Sequence, residues 1–426
     1  MSEVLTCLQS LTLDDDAEMK LDSEVEDTGY TVSKVLSMVS GDDKFIKLAK
    51  EQKVVKITAK YISDGKGYCS RVFKTIVHFD KGDTFNFMMK IPTDAIWNKI
   101  DMGTLSEEEK NVNWKKLVRM HNGEVDAYEM IAGMTDPFPI PKIYYMDRID
   151  DRSGGVIVQE DLSHGASLGI FFEATPILCY NLARHIADFQ CYYDLDADEK
   201  WRTRYGGSMH TTDDVEKTWK RTMFPALKLP DDDLVAKVQM FVDMDIQKLG
   251  KFTLEDYPAQ FGCNTLNHGD LWTDNMLIKL EEDGSVSDEI LAFIDWQTCA
   301  TGSPCFDIAR FISHCTDADV RRQCERKAVD VYYDRLTENY AKRGQKPKFT
   351  REQAYELYDL SFVQEVALLC IMFGIMAIPL KDSKEKSDQE NFEKLALRLK
   401  MAADDAIPII EKYQMRSRFA VTQSDD

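Results

Sequence analysis

The run His268-Gly269-Asp270-Leu271-Trp272-Thr273-Asp274-Asn275, followed 20 residues after Asn275 by Asp295 in Phe293-Ile294-Asp295-Trp296-Gln297, collects the residue types that phosphoryl transfer requires. In that reaction one carboxylate orients the attacking hydroxyl and accepts its proton, while separate oxygen ligands hold magnesium against the nucleotide phosphates. Asp270 and Asn275 stand at a spacing known to serve this chemistry, a His, any residue, an Asp, four residues and an Asn, with His268 in the His position. Asp270 reads as the catalytic base, and Asn275 and Asp295 as the metal ligands. Any one piece is also what an ordinary turn or strand end looks like. The ordered set is harder to explain that way.

Upstream, Asp64-Gly65-Lys66-Gly67-Tyr68-Cys69-Ser70 falls between two strand-like runs, where Gly65 and Gly67 let backbone amides approach phosphates and Ser70 stands where a third glycine would be expected. A plain hairpin turn also accounts for it. Lys90 follows Ser70 by 20 residues, in a strand expected to face that loop, and supplies positive charge to phosphates in a chain of net charge -21. A helix glutamate should fix this lysine. Glu124 and Glu129 both qualify, and Glu124 is preferred because it shares a helical stripe with Tyr128 and Ile131. The apolar strand Val156-Ile157-Val158-Gln159 stops abruptly in Glu160-Asp161-Leu162, so the backbone from Glu160 to Leu162 is the expected contact for adenine.

These residues need elements to carry them. Runs rich in β-branched and aromatic residues at 54–58, 72–77 and 85–91 predict an antiparallel meander, and a helix is expected over 115–133. Pro137, Pro139 and Pro141 then punctuate the chain before a strand at 155–159. From Ser167 the period is mostly helical, broken by a strand pair at 275–280 and 290–295 with Asp283-Gly284 at its turn. The reading is an α+β chain with an acidic N-terminal tail over 1–27, a β-rich N-lobe over 28–159, a helical C-lobe over 160–426, and the ligand cleft between the lobes.

With 426 residues, 44% of them hydrophobic, the chain can bury a large core. Its negative charge makes nucleic acid and anionic membrane surfaces poor partners. Ten scattered cysteines without a C-x-x-C pair read as reduced thiols, and the acidic N-terminus lacks the features of a signal peptide, so a cytoplasmic location is expected. The apolar run 366–379 is shorter than the roughly 20 residues of a membrane helix and reads as a buried one.

The chain resembles the ecdysteroid-kinase-like or CHK-kinase-like proteins of insects and nematodes, relatives of choline kinases and aminoglycoside phosphotransferases. The resemblance rests first on His268-Gly269-Asp270-Leu271-Trp272 with Asn275 and on Ile294-Asp295-Trp296-Gln297. Asp64-Gly65-Lys66-Gly67-Tyr68, Lys90-Ile91-Pro92, Asn122-Gly123-Glu124-Val125 and Glu160-Asp161-Leu162 follow in the family's order. It implies a two-lobed kinase-like fold, ATP and Mg2+ as cosubstrates, and a small-molecule alcohol as acceptor: steroid-like, choline-like or a glycoside. It also implies that Asp307 steadies the catalytic loop.

A catalytically silent kinase-like binding protein is the alternative, which loss of Lys90, Asp270, Asn275 or Asp295 would have favoured. A protein kinase is disfavoured by the absence of an Ala-Pro-Glu segment after Asp295. Trp201, Tyr205, Trp219, Phe224, Phe241, Tyr332, Tyr333, Tyr358, Phe362 and Phe373 read mainly as helical core, with an apolar acceptor surface as the alternative, and Asp231-Asp232-Asp233 reads as a helix start or a cationic-acceptor wall. The sequence leaves oligomeric state open.

Overall fold

A computed structural model describes residues 20–63, 69–94, 106–134, 138–150, 153–205, 229, 231–380 and 383–421. The chain divides into two compact units, Met1–Glu129 with Ile140–Ser163, and Met130–Pro139 with His164–Asp426.

The first unit holds β1 (Val54–Tyr61), β2 (Ser70–Phe79), β3 (Thr84–Pro92), β4 (Ile143–Asp150) and β5 (Ser153–Glu160) in one antiparallel sheet, in the order β1-β2-β3-β5-β4. Successive side chains of a strand point to opposite faces. Along β3, Phe85, Phe87, Met89 and Ile91 therefore share one face, where they are buried. They join Phe73, Val77 and Phe79 of β2, together with Val35 and Leu36 of helix α1 (Val32–Val39) and Phe45 of α2 (Asp43–Glu51), in one core. The Phe45 and Phe85 rings meet edge-on at 5.4 Å. Asp42 starts α2 by accepting the N–H groups of Lys44 and Phe45 at 2.9 and 3.0 Å. The same alternation turns Lys90 to the opposite face.

Helix α3 (Glu107–Ile131) begins earlier than the sequence pattern indicates, because its first turn is charged and carries no apolar period. Strand β4 has no counterpart among the runs that the sequence pattern marks as strands. Its side chains are mostly half-buried, so Ile143-Tyr144-Tyr145-Met146-Asp147-Arg148 shows no clean alternation between a wet and a dry face. Val25 is part of the core although it falls in the stretch read as a tail.

The second unit is helical, with α4 (Pro176–Leu195), α5 (Glu199–Arg204), α6 (Asp232–Val242), α7 (Ile246–Gly250), a π-helix (Lys251–Asp256), α8 (Tyr257–Ala259), α9 (Phe306–Cys315), α10 (Ala318–Lys342), α11 (Arg351–Leu380), α12 (Lys386–Lys412) and α13 (Met415–Arg418). Two small antiparallel sheets interrupt it: β6 (Gly165–Ala166), β8 (Met276–Leu280) and β9 (Val286–Phe293) form one, and β7 (Thr265–Asn267) pairs with β10 (Ala300–Gly302). Phe138 stacks on Phe293 at 5.1 Å and Phe189 tilts against Trp296 at 5.0 Å, forming a floor under the β8–β9 hairpin. Within α11 the stretch Arg351–Gly374 is long and apolar enough to cross a membrane, and 89% of its most apolar window is buried inside the protein.

Trp201, Tyr205, Phe241, Tyr332, Tyr358, Phe362 and Phe373 are buried, and Tyr333 is half-buried, so these aromatics are core. Trp219 and Phe224 lie outside the described residues. Asp231 caps α6 by accepting the Leu234 N–H at 2.7 Å and pairs with Lys400, while Asp233 pairs with Lys237 and Lys400. This acidic run is a neutralised helix start. Nine described cysteines are free thiols.

Candidate active site

In the first unit, Lys90 Nζ donates to both oxygens of Glu124, at 2.9 and 2.7 Å. Only 13% of the lysine and 2% of the glutamate side chain is exposed. The pairing depends on where α3 is pinned. Asn122 acts as a piece of strand against the sheet edge, since its Oδ1 accepts the Ile149 N–H at 2.9 Å and its Nδ2 donates to the Ile149 carbonyl at 3.3 Å. Glu124 then faces β3. Glu129 turns elsewhere and pairs with Arg148 at 2.9 Å.

Burying this ion pair gives a concrete expectation. Lys90→Met leaves Glu124 charged in a dry site and should cost about 3 kcal/mol, whereas Lys90→Met with Glu124→Met should recover most of the loss. Urea denaturation of the two variants checks this, and equal losses would show that the pair is not energetically coupled.

Ser70 opens β2, opposite Pro92. The Glu160 N–H donates to the Lys142 carbonyl at 2.8 Å, and its carboxylate accepts the Lys142 N–H at 3.2 Å. The Glu160 amide is therefore committed within the sheet, and Asp161 and Leu162 follow it beyond the end of β5. Gly65 and Gly67 lie outside the described residues.

The second unit gathers His268, Asp270, Asn275 and Asp295. Strand β7 delivers the loop 268–275 at its C-terminal end, and the loop closes in a 3-10 turn, Thr273–Asn275, that feeds β8. Met276 of β8 pairs with Phe293 of β9, and the Ile294 N–H donates to the Asn275 carbonyl at 3.0 Å. Asn275 and Asp295 therefore emerge side by side at the open end of one hairpin.

Asp295 is one of three non-glycine described residues with positive φ, at φ 67 and ψ 57. A left-handed aspartate costs roughly 1–3 kcal/mol and persists only where its surroundings impose it. Asn275 Nδ2 donates to the Asp270 carbonyl at 2.7 Å and to Asp270 Oδ2 at 3.1 Å. Its nitrogen is thus committed to the loop, and its oxygen is what it can offer a cation.

His268 is fully buried, with its ring against Trp296 at 4.5 Å and its Nε2 3.0 Å from the Ile294 carbonyl. A side chain so enclosed braces the two loops against each other and does not meet a reactant. Asp307, in the first turn of α9, accepts the His268 N–H at 2.7 Å and the Gly269 N–H at 3.0 Å. Burial pushes its carboxyl above the ordinary range, against the pull of His268 and these N–H donors.

Gly269 has φ +89, and a Cβ there would lie 2.2 Å from the Thr298 carbonyl oxygen. Backbone has to move to admit it. Gly269→Ala should therefore cost at least about 3 kcal/mol, the sum of left-handed strain and a backbone clash. A melting temperature within about 2 °C of the wild type would contradict this placement of the loop.

Asp270 Oδ1 is held by Arg310 Nη2, and Arg310 Nη1 donates to Glu365 at 3.1 Å. Sequence reasoning missed both partners. Arg310 had a signal, because it lies three residues after Asp307 on the same helical face. Glu365 had none: it sits inside an apolar stretch of α11, far along the chain.

The donor set suits magnesium. Asn275 and Asp295 offer hard oxygen ligands, and Mg2+ is commonly held by one or two carboxylates plus the phosphates of its substrate. Among the described residues no group of three or more His, Cys, Asp or Glu could hold a metal.

A β-rich unit with a strand lysine salt-bridged to a helix glutamate, and a helical unit with the His-Gly-Asp loop ahead of a hairpin ending in aspartate, make up a kinase-like fold. The chain belongs to the DUF1679 family, described as "Uncharacterized oxidoreductase dhs-27", which it matches over residues 47–412. It is similar to the Caenorhabditis elegans protein of that name, with 24% identity over 324 residues, 73% of this chain and 38% of that protein. The chain thus spans well under half the length of that relative.

Among solved structures, it is similar to the GDP complex of aminoglycoside 2'-phosphotransferase-IIIa (TM-score 0.43, 13% identity, 82% of this chain and 93% of that one). A second likeness is to a thermostable mutant of aminoglycoside phosphotransferase APH(4)-Ia (TM-score 0.37, 13% identity, 84% and 95%).

Proposed function

We propose that this protein is an ATP- and Mg2+-dependent phosphotransferase that moves the γ-phosphoryl group to a hydroxyl of a small molecule, in the cytoplasm. The acceptor classes are those named by the resemblance to ecdysteroid-kinase-like proteins: a steroid-like, choline-like or glycoside alcohol. The observation that carries the reading is the placement of Asn275 beside a left-handed Asp295, with Asp270 bonded to the same Asn275 side chain.

In this reading Asp270 orients the acceptor hydroxyl and takes its proton as the oxygen attacks the γ-phosphorus. The bond from that phosphorus to the bridging oxygen breaks, and ADP leaves with the electron pair. Magnesium, when bound through Asn275 and Asp295, supplies charge neutralisation at the phosphate oxygens. Lys90 binds phosphate oxygens, with Glu124 holding its ammonium in place, and the backbone from Asp161 to Leu162 meets the base.

The relative's printed name points to a second reading, redox chemistry on a dinucleotide. Against it, all strand ladders among the described residues are antiparallel, while the dinucleotide-binding unit needs a parallel β-α-β crossover with its glycine-rich turn entering a helix. Here Gly65 and Gly67 stand between the sequence positions of β1 and β2.

The deciding experiment incubates wild type and Asp270→Asn with labelled ATP, Mg2+ and a small-molecule extract, and searches by mass spectrometry for metabolites that gain a phosphate. A phosphorylated product made only by the wild type is the expected result. ATP binding without any product would favour the silent binding protein, and NADH-dependent reduction of an extract component would favour the redox reading.

A further inference from the structure

The Asp270 carboxylate is held from both sides. Asn275 Nδ2 reaches Oδ2 at 3.1 Å, and Arg310 Nη2 binds Oδ1. Arg310 is itself almost enclosed, with 7% of its side chain exposed, and its Nη1 donates at 3.1 Å to Glu365, whose side chain is fully buried. His314 lies on the same helix, with Nδ1 3.6 Å from the same Glu365 oxygen and 3.0 Å from the Arg310 carbonyl.

For folding alone this is a poor bargain. One guanidinium serves two carboxyl groups, that of Asp270 26% exposed and that of Glu365 fully buried, and Arg310 Nε and Glu365 Oε1 are buried without a hydrogen-bond partner. Apolar side chains of similar volume would fill such a space at lower cost. What they could not do is grip Asp270 Oδ1 from a fixed direction.

We infer that Arg310, anchored by Glu365, is the positioning residue for Asp270, turning its carboxylate so that Oδ2 is the oxygen presented to the acceptor hydroxyl. The inference rests on the phosphotransfer reading above. Arginine does not give up its proton, so its contribution is orientation and charge and not proton transfer. The hydroxyl proton goes to Oδ2, and the guanidinium stays bound to Oδ1 throughout. Lysine has a single nitrogen and cannot span both carboxylates in the same planar fork.

Glu365 also ties the clamp to pH. Burial pushes its carboxyl up to about 8, with Arg310 opposing that rise and Asp270 and Asp307 adding to it. Because the folded-state value lies above the ordinary one near 4.5, the stability it contributes is complete below about pH 4.5 and is lost as pH climbs through about 8. As Glu365 ionises it competes with Asp270 for Arg310.

The test measures Mg2+-dependent ATP turnover, with water or an identified alcohol as acceptor, for wild type, Asp270→Asn, Arg310→Met, Arg310→Lys and Glu365→Gln between pH 6 and 9. Arg310→Met should lower kcat about 100-fold and Arg310→Lys about 10-fold, with KM for ATP within about twofold of the wild type. The wild-type kcat should decline above about pH 8 and the Glu365→Gln profile should not. If Asp270→Asn is inactive while folded Arg310→Met and Arg310→Lys keep the wild-type kcat, the clamp is wrong. Should Arg310→Met not fold, the lysine and Glu365→Gln variants decide.

If the wild type turns over no ATP, the phosphotransfer reading fails. The clamp is then judged on melting temperatures. Losses for Asp270→Asn and Glu365→Gln that simply add in the double variant would overturn the coupling of these residues through Arg310, and losses that do not add would sustain that coupling without its role toward an acceptor.

Discussion

Asp270→Asn should bind nucleotide as tightly as the wild type and turn it over about 100- to 10,000-fold more slowly. Asparagine matches aspartate in shape, so the loop 268–275 keeps its carbonyl bond from Asn275 and its two backbone bonds to Asp307. What it loses is the capacity to take a proton. Its amide must also choose between partners, because Arg310 and Asn275 are both donors to this side chain, and only one oxygen remains to receive them. The variant should therefore be folded and slightly less stable. Calorimetry for ATP affinity together with single-turnover measurements separates binding from chemistry, and a variant with normal turnover would remove Asp270 from the role of base.

Substitutions at Asp295 should have the second large effect, and the choice of replacement separates its two burdens. Asp295→Ala removes the proposed ligand and keeps the left-handed strain, so magnesium-dependent turnover should fall at least about 1,000-fold without any gain in stability. Asp295→Gly should lose activity equally. Its melting temperature should nevertheless rise, because glycine adopts φ near 67 at no steric cost. An inactive but more stable protein is the signature of strain retained for function. If Asp295→Gly were less stable than Asp295→Ala, the strain would not be located at this residue, and unchanged metal dependence in either variant would end its assignment as a ligand.

The parts of the fold that could be read from sequence are those where a period and a chemical role coincide. Phe85, Phe87, Met89 and Ile91 alternate cleanly because one face of β3 is dry, and that alternation places Lys90 on the other face. The helical stripe favours Glu124 over Glu129, and Lys90 pairs with Glu124 in the structure while Glu129 pairs with Arg148. Strand β4 escaped notice because a half-buried strand has no dry face to announce it. Arg310 and Glu365 escaped for another reason. Their meaning lies in a contact between residues 55 positions apart on different helices, and no local pattern encodes it. His268 illustrates the opposite error, since a motif position suggested chemistry where burial leaves only a brace.

The hairpin of β8 and β9 has one end at Asn275 and Asp295 and the other at the exposed turn around Asp283 and Gly284. Five residues of β8 place roughly 17 Å between those ends. The ladder insulates them, so the turn offers a grafting point for a fluorophore or a purification tag that moves rigidly with both proposed ligands and disturbs neither. A dye attached there would follow this hairpin during nucleotide titrations without a label entering the chemistry it observes.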